Sequence, residues 1–303
     1  MSYTKDELLS LGVKLEDLAE LRKRIVDIRI FDYVDDITLN DKTLGQLEYT
    51  LELYQDYLNF LQTFSKTNLE KILKGLRNTE VIDNHIVERE NYDWLINYQE
   101  THHSTAINYL IKKLFTEGEN LSPAILSKSH EILMRGTSNE DDILLKFRKG
   151  NHHYVGYQDG ENKIIEFLPI SYDEIKLALQ LFCDYYNQGV SNVNLAYVKP
   201  FVIHGLLAAL QVFEDGNTRV ARSIQHIKMF EITKDLFQVP FNLPALYFSK
   251  TYIPYRKEYR DMICQIALNP SIETWNKWIT FNLRKVQDQI YFNENNLKRT
   301  RKI

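Results

Sequence analysis

The chain has 303 residues, 44% of them hydrophobic and 26% charged, with a net charge of −4. Such proportions describe an ordinary globular chain of one or two domains, and the small negative balance gives no broad electrostatic drive toward nucleic acid. Glycine (11) and proline (7) are scarce, which favours helix. The polar start Met1-Ser-Tyr-Thr-Lys-Asp-Glu7 is unlike an export signal, and no apolar run is expected to be long enough to span a membrane, so a cytoplasmic location is the expectation.

Residues 1–75 read as helices. Leu44, Leu47, Leu51, Tyr54, Leu58 and Leu61 recur in alternating steps of three and four, which marks one helix face turned to a core. A helical segment continues to about residue 140. Two β-prone runs then flank Asp159-Gly160, a tight-turn signal, and predict a hairpin over about 145–168. Pro169–Tyr172 leads into a helix near 173–188, and Gln188-Gly-Val-Ser-Asn192 is a loop. Cys183 and Cys264 each lie in an apolar helical context and are expected as buried free thiols. Ala196–Leu210 is the next helix, and two or three more close the chain before a basic, solvated tail at 291–303. The pattern is mainly α with one small hairpin, and no internal repeat or low-complexity segment interrupts it.

The loop after Leu210 carries the chemistry. Phe213-Glu-Asp-Gly-Asn217 breaks the apolar spacing with turn residues, and a second helical run follows with Val220, Ile224, Ile227, Met229 and Phe230. The loop therefore empties into a helix N-terminus, where free N–H groups and the positive dipole end favour phosphate. Gly216 lets the backbone come close to a ligand. Arg219 and Arg222 share one helix face at that end, so they can hold phosphate groups through bidentate hydrogen bonds, and Asp215 can carry a magnesium ion. An ordinary helix–loop–helix corner would give the same short pattern.

The stretch Gln211-Val-Phe-Glu-Asp-Gly-Asn-Thr-Arg-Val-Ala-Arg222 resembles the signature His-Pro-Phe-x-Asp/Glu-Gly-Asn-Gly-Arg-x-x-Arg of the Fic (Fic/Doc) family, with Gln211 at the position of the catalytic histidine. Further likeness runs over roughly 75–290. His204 lies seven residues before Gln211; Leu243–Ser249, Tyr259 and Glu273–Trp278 resemble the family's C-terminal half; Phe147-Arg-Lys-Gly150 and Tyr154–Phe167 resemble its flap. Thr79-Glu-Val-Ile-Asp83-Asn84, placed before Trp94 and the helix near Tyr109, resembles the inhibitory motif Ser/Thr-x-x-x-Glu-Gly/Asn, whose acid pairs with the second signature arginine, here Arg222.

The resemblance implies a Fic-type helical bundle with a hairpin flap: an N-terminal helical region (1–75), a core (76–290) and a tail (291–303). It implies ATP and Mg2+ as ligands. Phe213, Gly216, Asn217, Thr218, Arg219 and Arg222 fall at nucleotide-binding positions, Asp215 at the metal position, Gln211 at the catalytic position, and Thr79 and Asp83 at regulatory ones. A target protein docks on the 145–168 flap by strand addition in that family. Homodimers are frequent in this class. The chain leaves no room for the winged helix many relatives carry next, so that route to DNA is not expected.

Three departures bear on activity. Gln211 has an amide with no useful basicity, so it cannot take a proton from a target hydroxyl. Val212 replaces proline and Thr218 a glycine; a β-branched residue at 218 requires that position to be already helical. Three readings stay open: a degenerate adenylyltransferase acting through nucleotide binding, a working transferase of AMP or another phosphate-linked group with a different base, and a deAMPylase using Asp83. His102-His103 and His152-His153 are adjacent pairs without the i, i+4 spacing or an accompanying carboxylate, and are expected in loops or at the surface. His130 and His204 are expected to support packing. No Walker loop, Rossmann fingerprint or nucleophile elbow is present.

Overall fold

Helix starts are set by side chains that accept the first free N–H groups. Asn40 caps α3 (Asp41–Gln62), Ser122 caps α6 (Pro123–Met134) with proline in its first turn, and Asn192 caps α8 (Val193–Leu210). The computed structural model describes residues 3–34, 37–88, 96–135 and 147–300; Trp94, residues 145–146 and the last three residues of the tail lie outside them. In chain order the remaining helices are α1 (Lys5–Ser10), α2 (Leu18–Arg22), α4 (Lys66–Glu88), α5 (Ile96–Ile111), α7 (Ile175–Asn187), α9 (Asn217–Phe237), α10 (Arg256–Leu268) and α11 (Ile272–Thr300). The fold is mainly helical, as the sequence predicts.

α8 and α9 form the central pair, with α10 and α11 against α8, and α4 and α5 against α9. α8 is buried along almost its whole length, which is why its sequence shows no polar face. It corrects one expectation: its 18 residues, with mean hydropathy 1.5, are long and apolar enough to cross a membrane, but 78% of that stretch is buried inside the protein. α3 packs along α11 with Leu47, Tyr54, Leu58 and Leu61 inward, as the spacing predicts. Gly205 lets Trp275 and Trp278 press against α8: a Cβ there would meet both rings at 2.9 Å. Residue 75 falls in the middle of α4, so the N-terminal region and the core share a helix.

The hairpin is β1 (Val155–Asp159) against β2 (Asn162–Phe167), antiparallel, with Asp159 opposite Asn162 and Gly160 at φ +59° in the turn. Its base is held by the N-terminal segment. Val26 N–H donates to Leu168 O (3.0 Å), Leu168 N–H donates to Arg24 O (2.7 Å), and Tyr3 Oη–H donates to Pro169 O (3.0 Å). Tyr3, Leu8, Leu11, Leu18 and Leu21 close a small second core over Ile165 and Leu168. Residues 3–34 therefore brace the flap, a role not legible in the sequence. Cys183 is buried as expected; Cys264 is only partly buried, with Sγ 3.7 Å from Glu166 Oε2.

Candidate anion loop and its restraints

The loop between α8 and α9 is closed by its own side chains. Asn217 Oδ1 accepts the Phe213 N–H and Asn217 Nδ2 donates to Phe213 O, both at 2.8 Å. Phe213 is enclosed: its ring stacks on His130 (centroids 3.9 Å apart, 4° between planes) and lies 5.3 Å from Phe147. His130 Nε2–H donates to Asp215 O (2.8 Å), and burial pushes its imidazole down to about 4, so the ring is neutral at physiological pH. Phe213 and Asn217 thus shape the loop through their side chains. His130, expected only to pack, is part of the same construction.

Gly216 sits at φ +76° just before α9, where a Cβ would come 2.6 Å from Met134 Sδ. Backbone conformation and the close methionine both require glycine there. The N-cap residue Gly216 offers no side-chain acceptor to α9. Thr218 already lies in α9, which removes the strain a β-branched residue would meet at positive φ.

The two signature arginines differ sharply. Arg219 is 3% exposed; one terminal nitrogen contacts Asp215 Oδ2 at 3.1 Å, and Nη1 has no hydrogen-bond partner. Asp215, partly exposed, also accepts the Gly216 N–H through Oδ1 at 2.6 Å. Arg222 is fully buried. Its Nε donates to Asn84 Oδ1 (2.8 Å), Nη2 to Asn84 O (2.9 Å) and Nη1 to the Tyr259 hydroxyl (3.2 Å).

The contact to Arg222 from α4 therefore comes from Asn84, one residue beyond the Asp83 named by the sequence. Successive helix residues point about 100° apart, so only one of the pair can face α9. Asn84 is further fixed by His103 Nε2 (3.3 Å), which also contacts Ser223 Oγ (3.1 Å). His103 is completely buried, against the expectation of a loop or surface position. Asp83 is 8% exposed, and burial pushes its carboxyl up to about 6, with Lys250 pulling it back. Thr79 Oγ1 donates to Gly75 O within α4 (3.1 Å).

One turn earlier, Glu80 is buried and bonded by Ser249 through Oγ–H (2.5 Å) and N–H (3.3 Å), with His226 Nδ1 3.4 Å away. Burial pushes its carboxyl from an ordinary 4.5 up to about 8. A raised acid favours the protonated form in the folded chain, so its stabilisation is full below pH 4.5 and is lost as pH rises toward 8. Glu80→Gln is expected to remove this slope, so that its stability relative to wild type is greater at pH 8 than at pH 5. Urea unfolding at both pH values checks it.

Gln211 is the C-cap of α8 in the left-handed region (φ 50°, ψ 54°). Its side-chain Nε2–H donates back to Ala208 O at 2.6 Å, a free carbonyl of the helix end. Its own carbonyl accepts from Arg148 Nε (2.6 Å). Arg148 is buried and also donates to Gly150 O and Ile170 O, so a single guanidinium ties the flap base to the loop. Neither Arg148 nor the 130–213 stack was legible in the sequence, since each joins residues more than 60 positions apart.

The arrangement is a helical bundle with a braced hairpin beside the loop that opens α9. Residues 120–227 match the Fic/DOC family. Proteins of this family generally carry out AMPylation or related nucleotide transfer to proteins. Among solved structures, the chain is similar to a Fic domain containing signaling protein from Bacteroides thetaiotaomicron VPI-5482 (13% identity, TM-score 0.56, 81% of this chain and 98% of that one). It is similar also to a Fic family protein from Desulfovibrio desulfuricans G20 (15% identity, TM-score 0.60, 86% of this chain and 76% of that one). At these identities the likeness is one of fold. No curated protein sequence matches the chain.

Proposed function

We propose that this protein binds a nucleotide, ATP with Mg2+, at the 211–222 loop, and that it derives from a protein adenylyltransferase weakened by Gln211. The observation that carries this reading is Arg219: a guanidinium 3% exposed, with Nη1 unpartnered, beside the uncapped start of α9. A buried cation with an unused donor is costly unless an anion completes it. Phosphate oxygens would take that donor at the positive end of α9. Asp215, on the exposed side, would hold Mg2+ with the oxygen it now gives to Arg219. Bound Mg2+ would supply charge neutralisation for the phosphates.

Gln211 would act as a hydrogen-bonding group only, and its amide is engaged with Ala208 O. Arg222, held by Asn84 and Tyr259, is withheld from the terminal phosphate, which describes a restrained site. β1 pairs only with β2 among the described residues, which leaves an edge for a target segment.

The test sets binding beside transfer. Saturating Mg-ATP is expected to raise the thermal midpoint by several degrees; a ligand at about 100 times its Kd adds about 2.7 kcal/mol. Radiolabel transfer from α-labelled ATP is expected to stay near background. Rapid labelling would refute the weakened-enzyme reading; no thermal shift would refute the nucleotide site.

A further inference from the structure

Among the described residues, one cluster apart from Asp215 and Arg219 has the chemistry of a metal site. His152, His153 and Glu214 bring three donor atoms within 4.8 Å of one another. His152 Nε2 lies 3.5 Å from Glu214 Oε2, and His153 Nε2 lies against the same oxygen. His153 Nε2 has no hydrogen-bond partner of regular geometry. Spacing along the chain does not reveal it, because the carboxylate comes from the signature loop about 60 residues after the two histidines.

The supports around the cluster are specific. Lys149 N–H donates to Glu214 Oε1 (3.0 Å), which orients the carboxylate and leaves Oε2 toward the imidazoles. Gly150 makes room for His152 to fold back: a Cβ there would stand 3.0 Å from its Nδ1. The rings of His152 and His153 sit 4.2 Å apart, so two neighbours in sequence present their nitrogens to one place. Arg148, one residue before Lys149, fixes this strand of chain against the loop.

We propose that His152, His153 and Glu214 form a binding site for a divalent transition cation of the zinc type, tying the base of the flap to the signature loop. Two imidazoles and one carboxylate suit zinc-like ions, whereas Mg2+ prefers an all-oxygen shell. A tetrahedral ion with bonds of about 2.0–2.1 Å sets its ligand atoms about 3.3 Å apart; His152 Nε2 and Glu214 Oε2 stand 3.5 Å apart, and the His153 ring would have to back away from the shared oxygen to admit the ion. Three protein ligands leave the fourth position to water. The inference goes beyond the nucleotide reading: it uses Glu214, not Asp215, and requires no nucleotide.

The experiment is titration of the untagged full chain with Zn2+ alone, at neutral pH, against a chromophoric chelator. One equivalent of Zn2+ per chain is expected, unaffected by excess Mg2+, with a raised thermal midpoint. His153→Ala and Glu214→Gln are each expected to weaken binding at least about 10-fold and to abolish the thermal shift. His152→Ala, at an exposed ring, carries the same expectation should the others fold poorly. His102→Ala, on α5, leaves binding unchanged. Absence of stoichiometric binding, displacement by Mg2+, or undiminished binding in the 152/153 double alanine variant would overturn the site.

Discussion

Gln211→His is expected to raise transfer of AMP from ATP onto the protein itself by about 10²–10⁴-fold, the usual contribution of a general base. The substitution suits the backbone, because Gln211 sits at φ 50° and histidine is among the non-glycine residues that enter this region most readily. It also gives up the bond to Ala208 O, one acceptor at a helix end, worth about 0.5–1.5 kcal/mol. The gain is expected to be largest when Asn84→Ala is added, since Arg222 then loses its bond to the Asn84 side chain. A single-turnover assay with α-labelled ATP reads both. If the double variant shows no gain, the loop has lost catalytic geometry as well as its base.

Asn84→Ala alone is expected to tighten Mg-ATP binding by about 10-fold or more while lowering stability by about 1–3 kcal/mol. The two effects have one source. Asn84 Oδ1 accepts from the buried Arg222, and a hydrogen bond to a charged group is worth about 1.5–3 kcal/mol. Losing it removes one of the bonds that restrain the buried guanidinium, and a phosphate oxygen can compete for that donor more easily. One such bond corresponds to about 10–100-fold in affinity. Calorimetry and urea unfolding on the same preparation separate the terms. Lower stability with unchanged affinity would mean that Arg222 has only a packing role. Asp83→Gly is expected to affect Arg222 less than Asn84→Ala does, because Asn84 supplies both a side-chain and a backbone acceptor to it.

Much of the fold is written locally. The Leu47–Leu61 stripe of α3, the Asp159-Gly160 turn and the break between α8 and α9 each depend on residues within a few positions of one another. Those features appear where the sequence predicts them. What escaped the sequence depends on helix rotation and distant pairing. Whether Asp83 or Asn84 faces Arg222 is decided by how α4 packs on α9, and the family pattern points one residue off. Phe213 and Asn217 fall at signature positions, but their side chains hold the loop together, which no motif distinguishes from ligand contact. His130, Arg148 and Glu214 contribute through partners 60 or more residues away. The N-terminal helices read as a separate region, yet Tyr3, Leu8 and Leu21 close over the hairpin base.

An anion site at Arg219 is read out by calorimetric titration of Mg-ATP into the wild-type chain and into Arg219→Ala. Binding in the micromolar range by the wild type, weakened at least about 100-fold by loss of the guanidinium, is the predicted result. Equal affinity in the two proteins would contradict the site, and binding by neither, even with Asn84→Ala added, would mean that the loop keeps the shape of a nucleotide site without its function.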